Sequence, residues 1–192
     1  MHTEYEVRVL EIKRKEIIKK LEKIGAVFQW DRIQRRYLYD FIPKIDNKWI
    51  RLRTNGINTT LTIKDIVSSK IDGTRELEIT VDDFDNTNKI LNELGYVARG
   101  YQENRRCQYV LDDVEIDIDD WPLLPTYLEI EGPSEESVYN ILDVLGYNKE
   151  EATSRDVEGI YKDYGYEILK IKNLELEEER KWLYMKIYNG ED

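Results

Sequence analysis

The chain is poor in the residues that build disulfide bonds and Cys/His metal centres. Its single cysteine, Cys107, has no partner for an internal disulfide, and a single histidine, His2, excludes a Cys/His zinc site. No apolar run approaches the roughly 18 residues that a membrane-spanning helix needs, and the N-terminus leads directly into charged sequence. We therefore expect no signal peptide, no membrane partner and a location in the reducing cytoplasm.

Positive charge is also scarce relative to negative charge. The 192 residues contain 29 lysine and arginine residues against 40 aspartate and glutamate residues, which gives a formal net charge of -11. A nonspecific nucleic-acid-binding protein needs a basic surface that releases counterions from phosphates, so this balance argues against a nucleic-acid partner. A phosphate ligand would have to be bound locally, by clustered cationic side chains, by metal ions or by both.

A long Gly/Ser/Pro-rich linker is absent too, and the length is ordinary for one domain. We predict one domain over residues 1–165 and a C-terminal tail over 166–192 that is helical or caps one end of the domain. Apolar residues at helical spacing followed by glycine predict amphipathic helices over residues 11–24, 86–94 and 134–145. Ser134 and Ser137 predict a capped start for the third, and a fourth helix is predicted over residues 153–164.

Between the helices the sequence alternates with a period of two, which is typical of strands. Six segments place charged or hydroxyl-bearing residues at every second position, with apolar residues between them. Their polar positions are Glu4, Glu6 and Arg8; Arg51 and Arg53; Thr60, Thr62 and Lys64; Glu76, Glu78 and Thr80; Glu115, Asp117 and Asp119; Glu129 and Glu131. With Asn55-Gly56 and Asp72-Gly73 as turns, these segments predict a largely antiparallel sheet or barrel.

The polar positions are mostly charged and are sorted by strand into acidic and basic sets. A single strand of this kind is ordinary, because the polar face of any half-buried strand is wetted. Sorting across several strands favours a barrel that encloses the charges and turns its apolar face outward under the helices. Arginine and lysine would then bind phosphate oxygens, and the carboxylates would hold Mg²⁺ or Mn²⁺. The alternative is an open sheet with a solvated charged face.

The same residues carry a resemblance to a known family. Five further motifs follow the opening Glu4-Tyr5-Glu6-Val7-Arg8 in order: Trp49-Ile50-Arg51-Leu52-Arg53, Leu61-Thr62-Ile63-Lys64, Glu76-Leu77-Glu78, Arg105-Arg106 with Asp119, and Tyr127-Leu128-Glu129-Ile130-Glu131-Gly132. As an ordered set over about residues 4–132, they resemble the CYTH superfamily, also called triphosphate tunnel metalloenzymes. That group contains class IV adenylate cyclases, thiamine triphosphatases and inorganic triphosphatases.

The resemblance implies an α+β fold in which an eight-stranded antiparallel β-barrel forms a tunnel with a charged interior and helices packed on the outside. The implied ligands of Mg²⁺ or Mn²⁺ are Glu4, Glu6, Asp119, Glu129 and Glu131. The implied triphosphate-binding residues are Arg8, Arg51, Arg53, Lys64 and Arg106. The implied tunnel wall contains Glu76, Glu78 and Asp117. Glu78 and Arg8 are the candidate catalytic residues.

Two departures from the family pattern bear on the chemistry. The family's first motif usually ends in lysine, whereas this chain has Arg8, which keeps its charge but does not release a proton at neutral pH. A basic residue is also common two positions before the one that matches Arg106, where this chain has Asn104. We therefore expect a less basic interior than in relatives, and the proton-transfer step has no assigned base.

The predicted function is metal-dependent chemistry on a small molecule that carries a triphosphate: ATP, thiamine triphosphate or tripolyphosphate. Hydrolysis and cyclisation of ATP to cyclic AMP both stay open, because no segment marks a nucleobase-binding motif. A catalytically silent binder of polyphosphorylated ligands would need cations only, so the carboxylates at positions 4, 6, 129 and 131 argue against it. A homodimer is a further expectation.

Overall fold

We describe the fold from a computed structural model, which describes residues 1–177. Its eight long strands are β1 (His2–Val9), β2 (Val27–Asp40), β3 (Lys48–Thr54), β4 (Thr59–Ile66), β5 (Thr74–Val81), β6 (Ala98–Leu111), β7 (Val114–Asp120) and β8 (Tyr127–Gly132). Its helices are α1 (Arg14–Lys23), α2 (Phe84–Glu93), α3 (Glu135–Val144) and α4 (Val157–Asp163). The remaining elements are the 3-10 turns Lys149–Glu151 and Ile168–Lys170 and the two-residue strands β9 (Ala152–Thr153) and β10 (Asn173–Leu174). None of the helices in this region is long and apolar enough to span a membrane.

The eight long strands form a closed antiparallel barrel. Neighbouring strands follow the order β6-β2-β3-β4-β5-β1-β8-β7, and pairing between β7 and β6 closes the ring. Arg8 on β1 lies opposite Glu129 on β8, and Lys64 on β4 lies opposite Glu76 on β5. Because side chains alternate between the two faces of a strand, this register brings the predicted acidic and basic positions onto one face. The predicted α+β barrel with outer helices is confirmed.

The outward face of β1, β7 and β8 forms the main hydrophobic core beneath α1 and α3. Val7, Ile116 and Ile130 from the strands are buried against Leu21 of α1 and Leu142 of α3. Each such side chain contributes roughly 1.5–3 kcal/mol when it leaves water. The packing therefore stabilises the barrel wall from outside and leaves the inward positions of these strands to polar residues.

The other helices pack on different sectors of the wall. Around α2, a second cluster contains Tyr39, Ile50, Leu52, Phe84 and Leu91. Around α4, a third cluster contains Trp121, Leu124, Tyr127, Ile160, Tyr161, Ile168 and Leu174. The expectation that helices cover the whole apolar face was too broad, because Leu77 and Ile79 on the outer face of β5 are 52% and 56% exposed.

The predicted C-terminal ends of α1, α2 and α3 and the capped start of α3 are confirmed, whereas α1 begins at Arg14 instead of residue 11 and α2 begins at Phe84 instead of residue 86. The Ser134 hydroxyl accepts a hydrogen bond from the backbone N–H of Ser137 at 3.1 Å, and the Ser137 hydroxyl accepts one from the backbone N–H of Ser134 at 3.2 Å. This reciprocal pair satisfies N–H groups that the first turn leaves unbonded. Gly25, Gly95 and Gly146 follow the three helices with φ of +83°, +90° and +81°, where other residues are strained.

The alternation did not reveal β2 and β6, although each spans 14 residues. Their pairing contains register shifts between Phe28 and Trp30 and between Leu38 and Tyr39. A shift of one residue exchanges the inward and outward positions, so neither strand keeps a period of two along its whole length.

The predicted fourth helix begins later than position 153. Residues Ala152–Thr153 pair with β1 instead, and α4 begins after Asp156, whose carboxylate accepts a hydrogen bond from the backbone N–H of Gly159 at 2.9 Å. Of the predicted C-terminal tail, residues 178–192 lie outside the described residues. In the described part, β10 pairs in parallel with β6, and Ile168 and Leu174 are buried.

Candidate active site in the barrel

A cavity of about 210 Å³ is lined by side chains from all eight strands of the barrel. Its ionisable lining residues are the carboxylates Glu4, Glu6, Glu76, Glu78, Glu115, Glu129 and Glu131 and the cations Arg8, Arg36, Arg51, Arg53, Lys64 and Arg106. The lining includes every predicted site residue except Asp117 and Asp119. Seven carboxylates against six cations leave this cavity close to electrical balance.

Three carboxylates on β1 and β8 form a cluster. One oxygen each from Glu4, Glu6 and Glu131 lie within 4.8 Å of one another. Glu4 and Glu6 share a face of β1, and Glu6 lies opposite Glu131 in the β1–β8 register. Burial and the neighbouring carboxylates raise the pKa of Glu131 to about 8, and burial raises the pKa of Glu4 above its ordinary value.

The donor chemistry of this cluster fits a divalent cation. Hard carboxylate oxygens are the ligands that Mg²⁺ prefers, usually together with substrate phosphates. The Oε2 atom of Glu4 is buried without a hydrogen bond, 3.6 Å from the ammonium group of Lys64. A bound cation would offset the burial and the carboxylate repulsion that together raise the pKa of Glu131 to about 8.

The other two predicted metal ligands bond to arginines. Glu129 accepts hydrogen bonds from Arg8 Nε at 2.7 Å and Arg106 Nη2 at 2.8 Å. Asp119 accepts two from Arg106, at 2.9 and 2.6 Å, and is fully buried. Burial alone would raise the pKa of Glu129, but the two guanidinium groups lower it below its ordinary value. The assignment of Glu129 and Asp119 as metal ligands stays a prediction.

The predicted phosphate-binding cations are held by carboxylates of the wall. Arg8 Nη2 donates to Glu6 at 2.6 Å, and Arg51 Nη2 donates to Glu76 at 3.2 Å and to Glu78 at 3.4 Å. Lys64 forms ion pairs with Glu4 and Glu76, and Arg106 reaches Asp117 at 2.6 Å as well as Asp119 and Glu129. These pairs orient the cations before any ligand binds.

Two of the cations, Arg53 and Lys64, have pKa values below the ordinary ones. The closest carboxylate oxygen to Arg53 among the described residues belongs to Glu78, at 3.9 Å. Burial and the neighbouring guanidinium groups of Arg51 and Arg106 lower the pKa of Arg53 to about 10. Burial, together with Arg51, also lowers the pKa of Lys64. A phosphate group between these side chains would relieve the repulsion.

The two candidate catalytic residues have partners that restrict proton transfer. Glu78 accepts a hydrogen bond from the Thr62 hydroxyl at 2.5 Å, and this bond, with Arg53 and Arg51, lowers its pKa against the effect of burial. Arg8 donates to Glu6, to Glu129 and, at 2.7 Å, to the backbone carbonyl oxygen of Arg155. Glu78 is therefore a weaker base than an ordinary glutamate, and a catalytic role for either residue stays a prediction.

Arg36 on β2 is a buried residue of the cavity that the sequence pattern did not predict. Its guanidinium lies over the ring of Trp121, 4.5 Å from the centroid, and donates to the side chains of Gln34 and Asn104. Arg35 and Arg36 are adjacent in the chain, so alternation alone does not say which one faces inward. Arg36 adds a cation beside Asn104, where the interior was expected to lose one.

A smaller cavity of about 100 Å³ shares Arg8, Arg36, Arg51 and Lys64 with the larger one. Its further lining residues include the apolar side chains Leu38, Trp49, Ile66, Ile168 and Leu169. The charged cavity therefore adjoins a space with a substantially apolar lining.

The closed antiparallel strands, with carboxylates and cations along one cavity, place the chain in the class of β-barrels that enclose a charged cavity. The model of the CYTH domain matches residues 2–155, and the chain belongs to the CYTH domain family. The predicted family is confirmed. Among curated protein sequences, none matches this chain.

Several solved structures are similar to this barrel. The PH1012 protein from Pyrococcus horikoshii OT3 has a TM-score of 0.69 and 22% identity, with 80% of this chain and 96% of that chain covered. A putative adenylate cyclase from Vibrio parahaemolyticus has a TM-score of 0.72 and 12% identity, with 84% and 98% covered. The putative adenylyl cyclase HpAC1 from Hippeastrum, described as revealing a dominant triphosphatase activity, has a TM-score of 0.58 and 15% identity, with 89% and 100% covered. At these identities the similarity shows the fold alone.

Proposed function

We propose that this protein is an enzyme that acts on a triphosphate-bearing small molecule with the help of a divalent cation, Mg²⁺ or Mn²⁺. The observation that carries the proposal is the carboxylate cluster of Glu4, Glu6 and Glu131, which shares one cavity with six cationic side chains. Membership of the CYTH family supports it, as do the activities named for the Vibrio and Hippeastrum proteins.

The charge balance of the cavity supports the dependence on a metal. With seven carboxylates and six cations, the cavity has no surplus of positive charge for a polyanion. A triphosphate that entered alone would leave carboxylates without their cationic partners, and a metal ion that entered alone would repel the arginines. A metal–triphosphate complex brings both charges and gives each set of side chains a new partner.

The carboxylates of the cavity would bind the metal ion, and its cations would bind the phosphates. Glu4, Glu6 and Glu131 would hold the metal ion, which supplies neutralisation and orientation of the phosphate oxygens when bound. Arg51, Arg53 and Lys64 would bind phosphate oxygens and stabilise the negative charge that develops in the transition state.

Arg8 would act as a positioning residue. Its guanidinium donates to Glu6 and Glu129, so it fixes two carboxylates relative to each other, and as an arginine it is not a general base.

Hydrolysis is the reaction that the geometry supports best, because it needs only side chains that bind the phosphates and a water molecule. Cyclisation of ATP is the second candidate, because it also needs room for a nucleoside. The smaller cavity, lined by Leu38, Trp49 and Ile66 beside the shared cations, favours it with space for an organic group.

Turnover assays with separate substrates would test the proposal. The protein is incubated with Mg²⁺ or Mn²⁺ and with tripolyphosphate, thiamine triphosphate or ATP, while phosphate, pyrophosphate and cyclic AMP are measured. Phosphate without cyclic AMP identifies a hydrolase, and pyrophosphate with cyclic AMP identifies a cyclase. The absence of turnover with all three substrates would refute the proposed activity.

A double variant tests the assignment of Glu4 and Glu6 as metal ligands. Glu4→Gln combined with Glu6→Gln should abolish turnover, because it removes two of the three clustered carboxylates. Glu136→Gln, on the exposed start of α3, is the control and should keep full activity. Turnover by the double variant at the wild-type rate would contradict the assignment.

We further propose that residues 1–165 form the enzymatic domain and that the described part of the C-terminal tail, residues 166–177, covers one end of the smaller cavity. Ile168 and Leu169 support this, because both line the smaller cavity. The homodimer and the cytoplasmic location stay predictions, the first testable by light scattering of the purified protein.

A further inference from the structure

Arg36 differs from the other arginines of the cavity in its partners. Its side chain is buried, with 6% of the residue exposed, and in residues 1–177 no carboxylate oxygen lies within 4.0 Å of its nitrogen atoms. Arg36 Nη2 donates instead to two neutral amide oxygens, of Gln34 at 3.0 Å and of Asn104. Its Nε atom is buried without a hydrogen-bond partner. Arg8, Arg51 and Arg106 each bond at least one carboxylate.

The surroundings of Arg36 make its charge unfavourable in the ligand-free protein. Arg53 lies opposite it in the β2–β3 register. Burial and the neighbouring guanidinium groups lower the pKa of Arg36 well below its ordinary value. The face of Trp121 offsets part of this cost through a cation–π contact. Asp119 attracts the Arg36 charge but forms its ion pair with Arg106. A buried cation that lacks a direct ion pair destabilises a fold, so stability alone does not account for an arginine at this position.

The position of Arg36 joins the two cavities. It lines the larger one beside Arg53 and Arg106 and the smaller one beside Arg99 and Trp49. The two amide oxygens and the Trp121 ring fix the guanidinium plane, which leaves its Nε without a protein acceptor. An anionic oxygen in either cavity would supply the missing counter-charge to the guanidinium group.

We infer that Arg36 binds a phosphate oxygen of the substrate and is a further substrate-binding residue of this site. This inference rests on the proposed function, and it concerns the phosphate group nearest the junction of the two cavities. Arg36 would thereby favour ligands with three linked phosphates over shorter ones, because the remaining cations lie along the larger cavity.

The test compares the binding of tripolyphosphate with that of pyrophosphate by calorimetry, with Mg²⁺ present. Arg36→Gln should weaken tripolyphosphate binding by about 10- to 100-fold, which is the usual worth of a hydrogen bond to a charged group. Pyrophosphate binding should weaken less. Arg36→Lys keeps the charge but loses the forked guanidinium donors and the contact with the Trp121 ring. Its affinity for tripolyphosphate should lie between those of the wild type and of Arg36→Gln. Arg35→Gln removes the same charge from the exposed outer face of β2 and should bind like the wild type.

Thermal unfolding without ligand separates substrate binding from a structural role. If the inference is right, the Arg36→Gln variant has a Tm equal to or above that of the wild type, because it loses an uncompensated buried charge. A lower Tm, or a failure to fold, assigns Arg36 a structural role and overturns the inference.

Equal binding by the Arg36→Gln and Arg35→Gln variants also overturns the inference, while wild-type turnover leaves the proposed function intact. A wild type that neither binds nor turns over any triphosphate refutes both.

Discussion

Replacing Glu131 by glutamine should stabilise the metal-free protein and weaken its binding of divalent cations. Burial and nearby carboxylates raise the pKa of Glu131 to about 8 from an ordinary value of 4.5. Between these two pH values the folded protein keeps a proton that the unfolded chain releases. The free energy of unfolding therefore falls as pH rises from about 4.5 to about 8 and is constant above that window. Glutamine does not ionise, so this pH dependence disappears.

The size of the effect follows from the two pKa values. pH 7 lies about 2.5 units above the pKa of Glu131 in the unfolded chain. Over this interval each pH unit lowers the free energy of unfolding by roughly 1.4 kcal/mol. The penalty on the wild type is therefore at most about 3.5 kcal/mol at pH 7. We expect the Glu131→Gln variant to gain about 1–3 kcal/mol, because the buried amide of glutamine is polar and keeps part of the desolvation cost.

Urea denaturation at several pH values between 5 and 9, with EDTA present, measures the gain. The Glu136→Gln variant should follow the wild-type curve across this range, since Glu136 is exposed. Added Mg²⁺ should then stabilise the wild type by mass action and the Glu131→Gln variant much less. A Glu131→Gln variant that is less stable than the wild type at pH 7, with an unchanged pH dependence, would refute the reasoning.

Three further variants test the architecture by urea denaturation. Arg106→Gln leaves three buried carboxylates without their main cation and should cost about 3–5 kcal/mol; wild-type stability would show that this network is not structural. Ser134→Ala removes the capping box of α3 and should cost about 1 kcal/mol, with no effect on ligand binding. Leu21→Ala opens the core under α1 and should cost about 2–5 kcal/mol; a smaller loss would mean that α1 collapses onto the space.

The barrel and most of the cavity wall could be predicted from the sequence because β1, β3, β4, β5, β7 and β8 keep a period of two at their cavity-lining positions. On such strands the position of a residue in the chain determines whether its side chain faces the inside or the outside of the barrel. Antiparallel pairing then brings Glu6 opposite Glu131 and Arg8 opposite Glu129, as the structure shows. Local pattern and register agree on these strands, which is why residues remote in sequence could be grouped correctly.

The longest strands could not be interpreted in the same way. The register shifts in β2 and β6 change which residues face inward on either side of each shift. Arg36 lies in the regular stretch between the two shifts and was not predicted because its neighbour Arg35 is also charged, so that alternation does not say which of the two faces inward. Roles within the cavity were equally inaccessible. Glu129 and Glu131 lie two residues apart on one face of β8, yet Glu129 bonds two arginines and Glu131 clusters with two glutamates. This difference depends on side chains that reach across the barrel, and a sequence pattern carries no such distances.

The distribution of partners inside the cavity also indicates where binding energy would come from. Arg8, Arg51 and Arg106 already bond carboxylates, so a phosphate group that binds them replaces one favourable pair by another and gains little net free energy. Arg36 and the crowded Glu131 are different, because each bears an unfavourable interaction in the ligand-free protein. Relief of the first requires an anion and relief of the second a cation. A ligand that carries both charges relieves the unfavourable interactions of Arg36 and of Glu131 at once. This favours the binding of a metal–polyphosphate complex over the binding of either component alone.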